Sequence, residues 1–122
     1  MANACQWFEI PVTDLARATD FYQDVLLLQL RLNEMGAMKM AWFPWEQEGT
    51  GATGSLVQGP GYMPALEGSV IYLTVPDLDA TLTRVTAKGG QVLVPRTAIG
   101  EHGFIAYFRD SEGNRLGLHA MA

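Results

Sequence analysis

Cysteine and histidine are nearly missing from this chain of 122 residues, which has 1 Cys and 2 His. The lone Cys5 has no partner for an intrachain disulfide, and no basic segment leads into an apolar one at the N-terminus, so a reducing, cytoplasmic setting is expected. Without a Cys pair or a His-x-x-x-His run there is no local zinc motif, and without G-x-G-x-x-G or a P-loop there is no local nucleotide motif. No apolar run approaches the roughly 18 residues that span a bilayer. Positive charge is scarce and scattered, with 8 Lys plus Arg against 13 Asp plus Glu and a net charge of -5, which argues against nucleic acid or an anionic membrane as partner. Yet 48% of the residues are hydrophobic, too many for a disordered chain and enough for one well-formed core.

What is present is a repeat. Ile10-Pro-Val-Thr-Asp14-Leu15 recurs as Leu73-Thr-Val-Pro-Asp77-Leu78, and each Asp is placed to cap a helix by accepting from its free N–H groups. After Asp14 the apolar residues Leu15, Ala18, Phe21, Tyr22, Val25 and Leu26 follow helical spacing, and after Asp77 so do Leu78, Leu82 and Val85. Gly89-Gly90 ends the second helix with a residue free to turn left-handed, whereas Leu27-Leu28 in the first copy calls for another way of turning. Three strands are expected behind each helix, at Leu30 to Met35, Met38 to Trp45 and Thr53 to Gln58, then at Gln91 to Thr97, Phe104 to Arg109 and Arg115 to His119. Asp110 to Asn114 reads as the hairpin turn between the last two. The expected plan is α+β, two βαβββ modules in tandem over residues 1–60 and 68–122, joined by a linker at 61–67 and forming a concave mixed sheet.

Alternation then separates the faces of the strands. Phe8, Ile10 and Val12 align with Ile71, Leu73 and Val75, purely apolar sets that belong under the helices. The opposite face carries Cys5, Trp7 and Glu9 in the first module, and Tyr72, Arg115, Gly117 and His119 in the second. Aromatic surface with a few polar groups is the composition of a small-molecule cavity.

The paired V-x-D-L and V-P-D-L modules, Asp20-Phe21-Tyr22, and Phe108-Arg-Asp110-Ser-Glu-Gly113-Asn-Arg-Leu-Gly-Leu together resemble the vicinal oxygen chelate superfamily, which includes glyoxalase I, extradiol dioxygenases and bleomycin resistance proteins. Trp7-Phe-Glu-Ile-Pro-Val-Thr-Asp-Leu, Gly59-Pro-Gly-Tyr and Ile99-Gly-Glu-His-Gly-Phe are similar to its small bacterial glyoxalase-related branch. The resemblance implies one metal ligand on each of four strands in metal-dependent members. Here alignment on Asp14 puts Trp7 at the first position, alignment on Asp77 puts Val70 at the second-module position, and the closing turn puts Gly117 at the C-terminal position. The strand through Gly54, Ser55, Leu56 and Val57 holds no His or carboxylate in any register, so no metal and no cofactor is expected.

Within this frame Glu9 reads either as a general base or cation anchor, or as a structural partner of an Arg such as Arg115. His102, beside Glu101 in a Gly-Glu-His-Gly segment, is a general acid or gating residue on a hairpin, or else a solvated turn residue; Tyr107 is the other candidate proton donor. His119 is expected at the rim. Trp42, Trp45 and Tyr62 either surround the mouth of the cavity or pack in the core and a dimer interface. Cys5 reads as a small hydrophobe. The candidate ligand set is therefore Trp7, Glu9, Trp42, Tyr62, Tyr72, Glu101, His102, Arg115 and His119, with Glu9, His102 and Tyr107 as candidate catalytic groups. Expected partners are an apolar or aromatic small molecule, neutral or cationic by charge, and a second copy of the chain in a homodimer; the rival function is a metal-independent isomerase, epimerase or lyase.

Overall fold

The computed structural model describes residues 3–122. Strand β1 (Trp7–Pro11), helix α1 (Leu15–Leu26) and strands β2 (Arg31–Met35), β3 (Met38–Trp42) and β4 (Thr53–Gln58) come first. They are followed by β5 (Tyr72–Thr74), α2 (Leu78–Ala87), β6 (Gln91–Ala98), β7 (Phe104–Arg109) and β8 (Arg115–Ala120). The α+β order read from the repeat is the observed one. One element was not foreseen, a single 3-10 turn at Gly100–His102.

Both helices begin as their sequences dictate. Asp14 and Asp77 hold extended backbone, and their carboxylates accept from Arg17 N–H at 3.1 Å and Ala80 N–H at 3.0 Å. A cap of this kind contributes about 1 kcal/mol. Leu15, Ala18, Phe21, Tyr22 and Val25 turn inward from α1, and Leu78, Thr81, Leu82 and Val85 from α2. Leu26, whose spacing also points it inward, is only half-buried. The ends differ. Gly89 takes positive φ as expected, but α1 does not find another way of turning, because Leu27 itself adopts the left-handed conformation at φ 55°. Its side chain is 70% exposed, so no burial competes with the backbone there, and its N–H is held by the Gln23 carbonyl.

The strands form two four-stranded sheets, ordered β1-β4-β3-β2 and β5-β8-β7-β6. In each, the first strand pairs parallel with the last and the rest run antiparallel. No ladder joins β1 to β5 among the described residues, so the single continuous sheet implied by a shared groove is replaced by two open sheets. Strand β3 also stops three residues early. Phe43 still donates to the Gly54 carbonyl, but Pro44 has no N–H to continue the ladder, and Trp45 falls in a loop, 67% exposed.

Helices and sheets enclose one core containing Ile10, Phe21, Tyr22 and Leu56 from the first half, and Leu73, Phe108, Leu116 and Leu118 from the second. Complete burial of each large side chain contributes about 1.5–3 kcal/mol. Among the described residues no helix is long and apolar enough to cross a membrane.

The halves are locked by the turn at Asp110 to Asn114, which docks on the start of α1. Tyr22 Oη donates to Asp110 Oδ2 at 2.6 Å in the core, and burial followed by the Asp110 charge raises the phenol well above its ordinary pKa. Asn114 Nδ2 donates to the Pro11 carbonyl at 2.8 Å. Glu112 Oε1 accepts from the backbone N–H of Thr13 and of Asp14, each at 2.9 Å, and Arg17 Nε reaches Oε2 at 2.7 Å. Burial pushes the Glu112 carboxyl up, but these hydrogen bonds outweigh it and hold it at about 2.

Candidate functional site

The face of each sheet turned away from its helix is set by strand alternation and register. In the first sheet Trp7 and Glu9 on β1 stand in register with Thr53 and Ser55 on β4, and Ser55 stands opposite Trp42 on β3. In the second, Tyr72 and Thr74 on β5 pair with Gly117 and His119 on β8, which in turn oppose Tyr107 and Ile105 on β7. The apolar partners Ile10, Leu56, Leu73 and Leu118 occupy the helix side, as the alternation predicts.

Each sheet brings two aromatic rings together on this outer face. Trp7 and Trp42 meet edge to face with centroids 5.4 Å apart, and Tyr72 and Tyr107 meet at 5.7 Å with their hydroxyls hydrogen-bonded to each other. That bond raises the Tyr72 phenol above its usual pKa. Trp7 is 38% exposed and Tyr72 47% exposed. Gly117 makes the tyrosine pair possible: a side chain there would begin 2.5 Å from the Tyr72 ring, so only hydrogen leaves room for it. The Arg115 guanidinium lies 5.9 Å above the Tyr107 ring.

Glu9 accepts from Tyr62 Oη at 2.9 Å, which raises that phenol, and no ion pair links Glu9 to Arg115 among the described residues. The linker carrying Tyr62 is drawn to this place by Ala65, whose N–H donates to Asn114 Oδ1 at 3.0 Å and whose carbonyl accepts from Arg115 N–H. Thus Trp7, Glu9, Trp42 and Tyr62 gather on one sheet, and Tyr72, Tyr107, Arg115 and His119 on the other. Glu101 and His102 stand apart. Their side chains are 89% and 77% exposed in the 3-10 turn, and His102 reaches the group through its carbonyl, 2.6 Å from His119 Nε2. Trp45 also stands apart, and Cys5 is exposed ahead of β1 rather than packed as a small hydrophobe.

Two hollows deserve comparison with this face. One of about 660 Å³ runs on the opposite side of the first sheet, between α1 and the β2–β3 edge, lined by Ala16, Thr19, Gln23, Leu32 and Lys39 among others. The other, of about 240 Å³, lies between the halves and is lined by Glu9, Met63, Asn114 and Arg115 among others. We take the outer faces as the candidate site, because the aromatic couples lie on them and Glu9 and Arg115 of the same faces line the smaller hollow. Ser55 is the member that alternation alone did not single out; its signal was a hydroxyl in a run otherwise buried as Gly54, Leu56 and Val57.

The model of the Glyoxalase/Bleomycin resistance protein/Dioxygenase superfamily matches residues 4–118. The chain belongs to this superfamily. A glyoxylase-like domain-containing protein of Didymella fabae is 33% identical over 115 residues, covering 87% of this chain and 84% of its own. A putative glyoxylase of Mycobacterium bovis is 29% identical over 117 residues, 92% of this chain, and the chain spans 43% of that longer protein. Among solved structures, the antibiotic binding protein TnmS3 of a Streptomyces species superposes with TM-score 0.67 at 26% identity, covering 99% of this chain and 98% of that one.

Metal-dependent members of the superfamily would hold a metal on this face, and two of the positions expected for its ligands, Trp7 and Gly117, carry no donor to fit one. Trp7 has no coordinating atom of use to a divalent cation, Gly117 has no side chain, and Tyr72 fills the space beside it. Among the described residues no three His, Cys, Asp or Glu side chains converge.

Proposed function

We propose that this protein binds an apolar or aromatic small molecule on the outer face of its sheets and works without a metal, by sequestration rather than turnover. The observation that carries this reading is the pair of aromatic couples, Trp7–Trp42 and Tyr72–Tyr107, one on the face of each sheet turned away from its helix, with Trp7 and Tyr72 partly open to solvent. Aromatic walls with few polar groups suit a flat ligand, because stacking adds to the burial of apolar area. The likeness to an antibiotic binding protein supports the same reading. So does the donor set, since among the described residues no three His, Cys, Asp or Glu side chains are grouped to hold a metal. A homodimer and a cytoplasmic setting belong to this proposal.

The test is a thermal-shift and tryptophan-quenching screen of planar aromatics against saturated analogues. Aromatics should raise the melting temperature and quench Trp7 and Trp42, and Trp7→Ala or Tyr72→Ala should weaken binding at least tenfold. Stabilisation by none of them, or metal analysis of chelator-free protein showing one equivalent of Zn, Ni or Fe, overturns the proposal. The Tyr62 to Glu9 hydrogen bond favours one rival, a metal-independent isomerase, epimerase or lyase with Glu9 as base. Turnover abolished by Glu9→Gln would establish that rival instead.

A further inference from the structure

The two sheets end on β1, β2, β5 and β6, and three of these edges are guarded. An edge strand exposes unpaired N–H and C=O groups that another chain can pair with, so folded proteins shorten, kink or cover such edges. Strand β5 has only three residues. Strand β6 is long, but its pairing with β7 shifts register twice and Pro95 withholds an N–H. On β1 the Pro11 carbonyl is taken by Asn114, and Tyr62 of the linker holds Glu9. Strand β2 has none of these devices. Its five residues, Arg31–Met35, run in unbroken register with β3, without a proline or a bulge, and Leu32 and Met35 are 69% and 57% exposed.

The hairpin fixes which backbone groups of β2 are open. Met35 pairs with Met38 across the two-residue loop Gly36-Ala37, with Gly36 at φ 62°, and such a loop closes on a hydrogen-bonded pair. Alternation then commits the N–H and C=O of Arg31, Asn33 and Met35 to β3 and turns those of Leu32 and Glu34 away from the sheet. Among the described residues nothing bonds to them there.

A second copy of the same strand fits this edge. Laid antiparallel about a two-fold axis at Asn33, β2 meets its counterpart along its whole length. Leu32 and Glu34 exchange backbone hydrogen bonds with the partner's Glu34 and the partner's Leu32, Arg31 faces the partner's Met35, and Asn33 faces the partner's Asn33. No charge meets its like. The residue on the axis must bond to itself, and an amide can, having both donors and an acceptor. The helices leave room, because α1 packs on β3 and β4. With strands about 4.8 Å apart, the two copies of β3 would stand about 14 Å apart, wider than a helix of about 10–12 Å.

We propose that β2 is the interface of a homodimer in which the first sheets of two copies join into one continuous sheet. This rests on the homodimer reading above and names its surface. The experiment is light scattering after size exclusion on the intact chain at micromolar concentration, where the wild type is expected at twice the mass of one chain. Glu34→Pro removes only an outward N–H, and Asn33→Asp sets two like charges on the axis. Each should raise the dissociation constant at least tenfold, with circular dichroism confirming that both variants fold. In a Cys5→Ser background, Asn33→Cys should form an intermolecular disulfide on mild oxidation and Arg31→Cys should not, since the axis brings only position 33 against itself. A dimer that neither substitution weakens, or cross-linking as strong from Arg31→Cys as from Asn33→Cys, overturns the β2 pairing and leaves the homodimer standing. A monomeric wild type overturns both.

Discussion

The two halves of the molecule share a scaffold and differ on one face. Both start a helix on an Asp cap, both order their strands with the first beside the last, and both bury Val, Leu and Phe beneath the helix. On the outer face the first half presents Trp7, Trp42, Ser55 and Glu9, while the second presents Tyr72, Tyr107, Arg115 and His119. The difference teaches where constraint lies. Packing against a helix fixes shape and polarity on one side of a strand, and nothing in the fold requires the alternate residues on the other side to match. The outer face is therefore free to differ between the halves, and it does.

If the helix side is the shared, structural side, truncating it should hurt equally in either half. Phe21→Ala and Phe108→Ala remove rings that are 1% and 0% exposed and pack 6.2 Å apart. Each should cost about 3–5 kcal/mol, read from urea denaturation midpoints. Tyr72→Ala on the outer face should cost far less, since that ring is 47% exposed. A loss from Tyr72→Ala as large as that from Phe108→Ala would erase the distinction between a structural and a functional face.

The fold was legible because it rests on local signals: the two Asp caps, the helical spacing of Phe21 and Tyr22, and the alternation of Ile10 and Leu73 against Trp7 and Tyr72. The site was only partly legible. Alternation correctly places Trp7, Glu9, Tyr72 and His119 on one face, but which neighbours they meet depends on register and on the path of the linker. That is why Tyr62, not Arg115, became the partner of Glu9. His102 shows a different limit, since a His between two glycines carries no periodicity to orient it, and its side chain points into solvent. The Glu112 clasp joins residues far apart in the chain, and no local pattern encodes such a contact.

That clasp is also the next way to break the comparison, because it has no counterpart after Asp77. Glu112 has an ordinary carboxyl pKa of 4.5 and is held at about 2 in the folded chain. A depressed folded pKa means that the clasp contributes its stability above the unfolded value and loses it as pH falls toward the folded one. The melting temperature should therefore drop between about pH 5 and pH 2, and Glu112→Gln should remove that part of the slope while costing about 2 kcal/mol at pH 7. An unchanged acid profile in Glu112→Gln would assign the sensitivity to other carboxylates.

The helix ends give the smallest effects and the sharpest contrast, because they compare one backbone conformation with and without a side chain. Leu27 is left-handed at φ 55° with its side chain in solvent; Gly89 has φ 89°, and a Cβ there would meet nothing within 4 Å. Neither position has packing to lose, so substitution reads the backbone alone. The left-handed region costs a residue with a Cβ about 1–2 kcal/mol, and glycine gives back roughly 0.5–1 kcal/mol through its freer unfolded state. Leu27→Gly should thus stabilise by about 0.5–1 kcal/mol, and Gly89→Ala should destabilise by about the same amount, mirror-image shifts of roughly 2–5 °C in calorimetry. Destabilisation by Leu27→Gly would mean that the exposed Leu27 side chain is covered in solution, as it would be at an interface with a second copy of the chain.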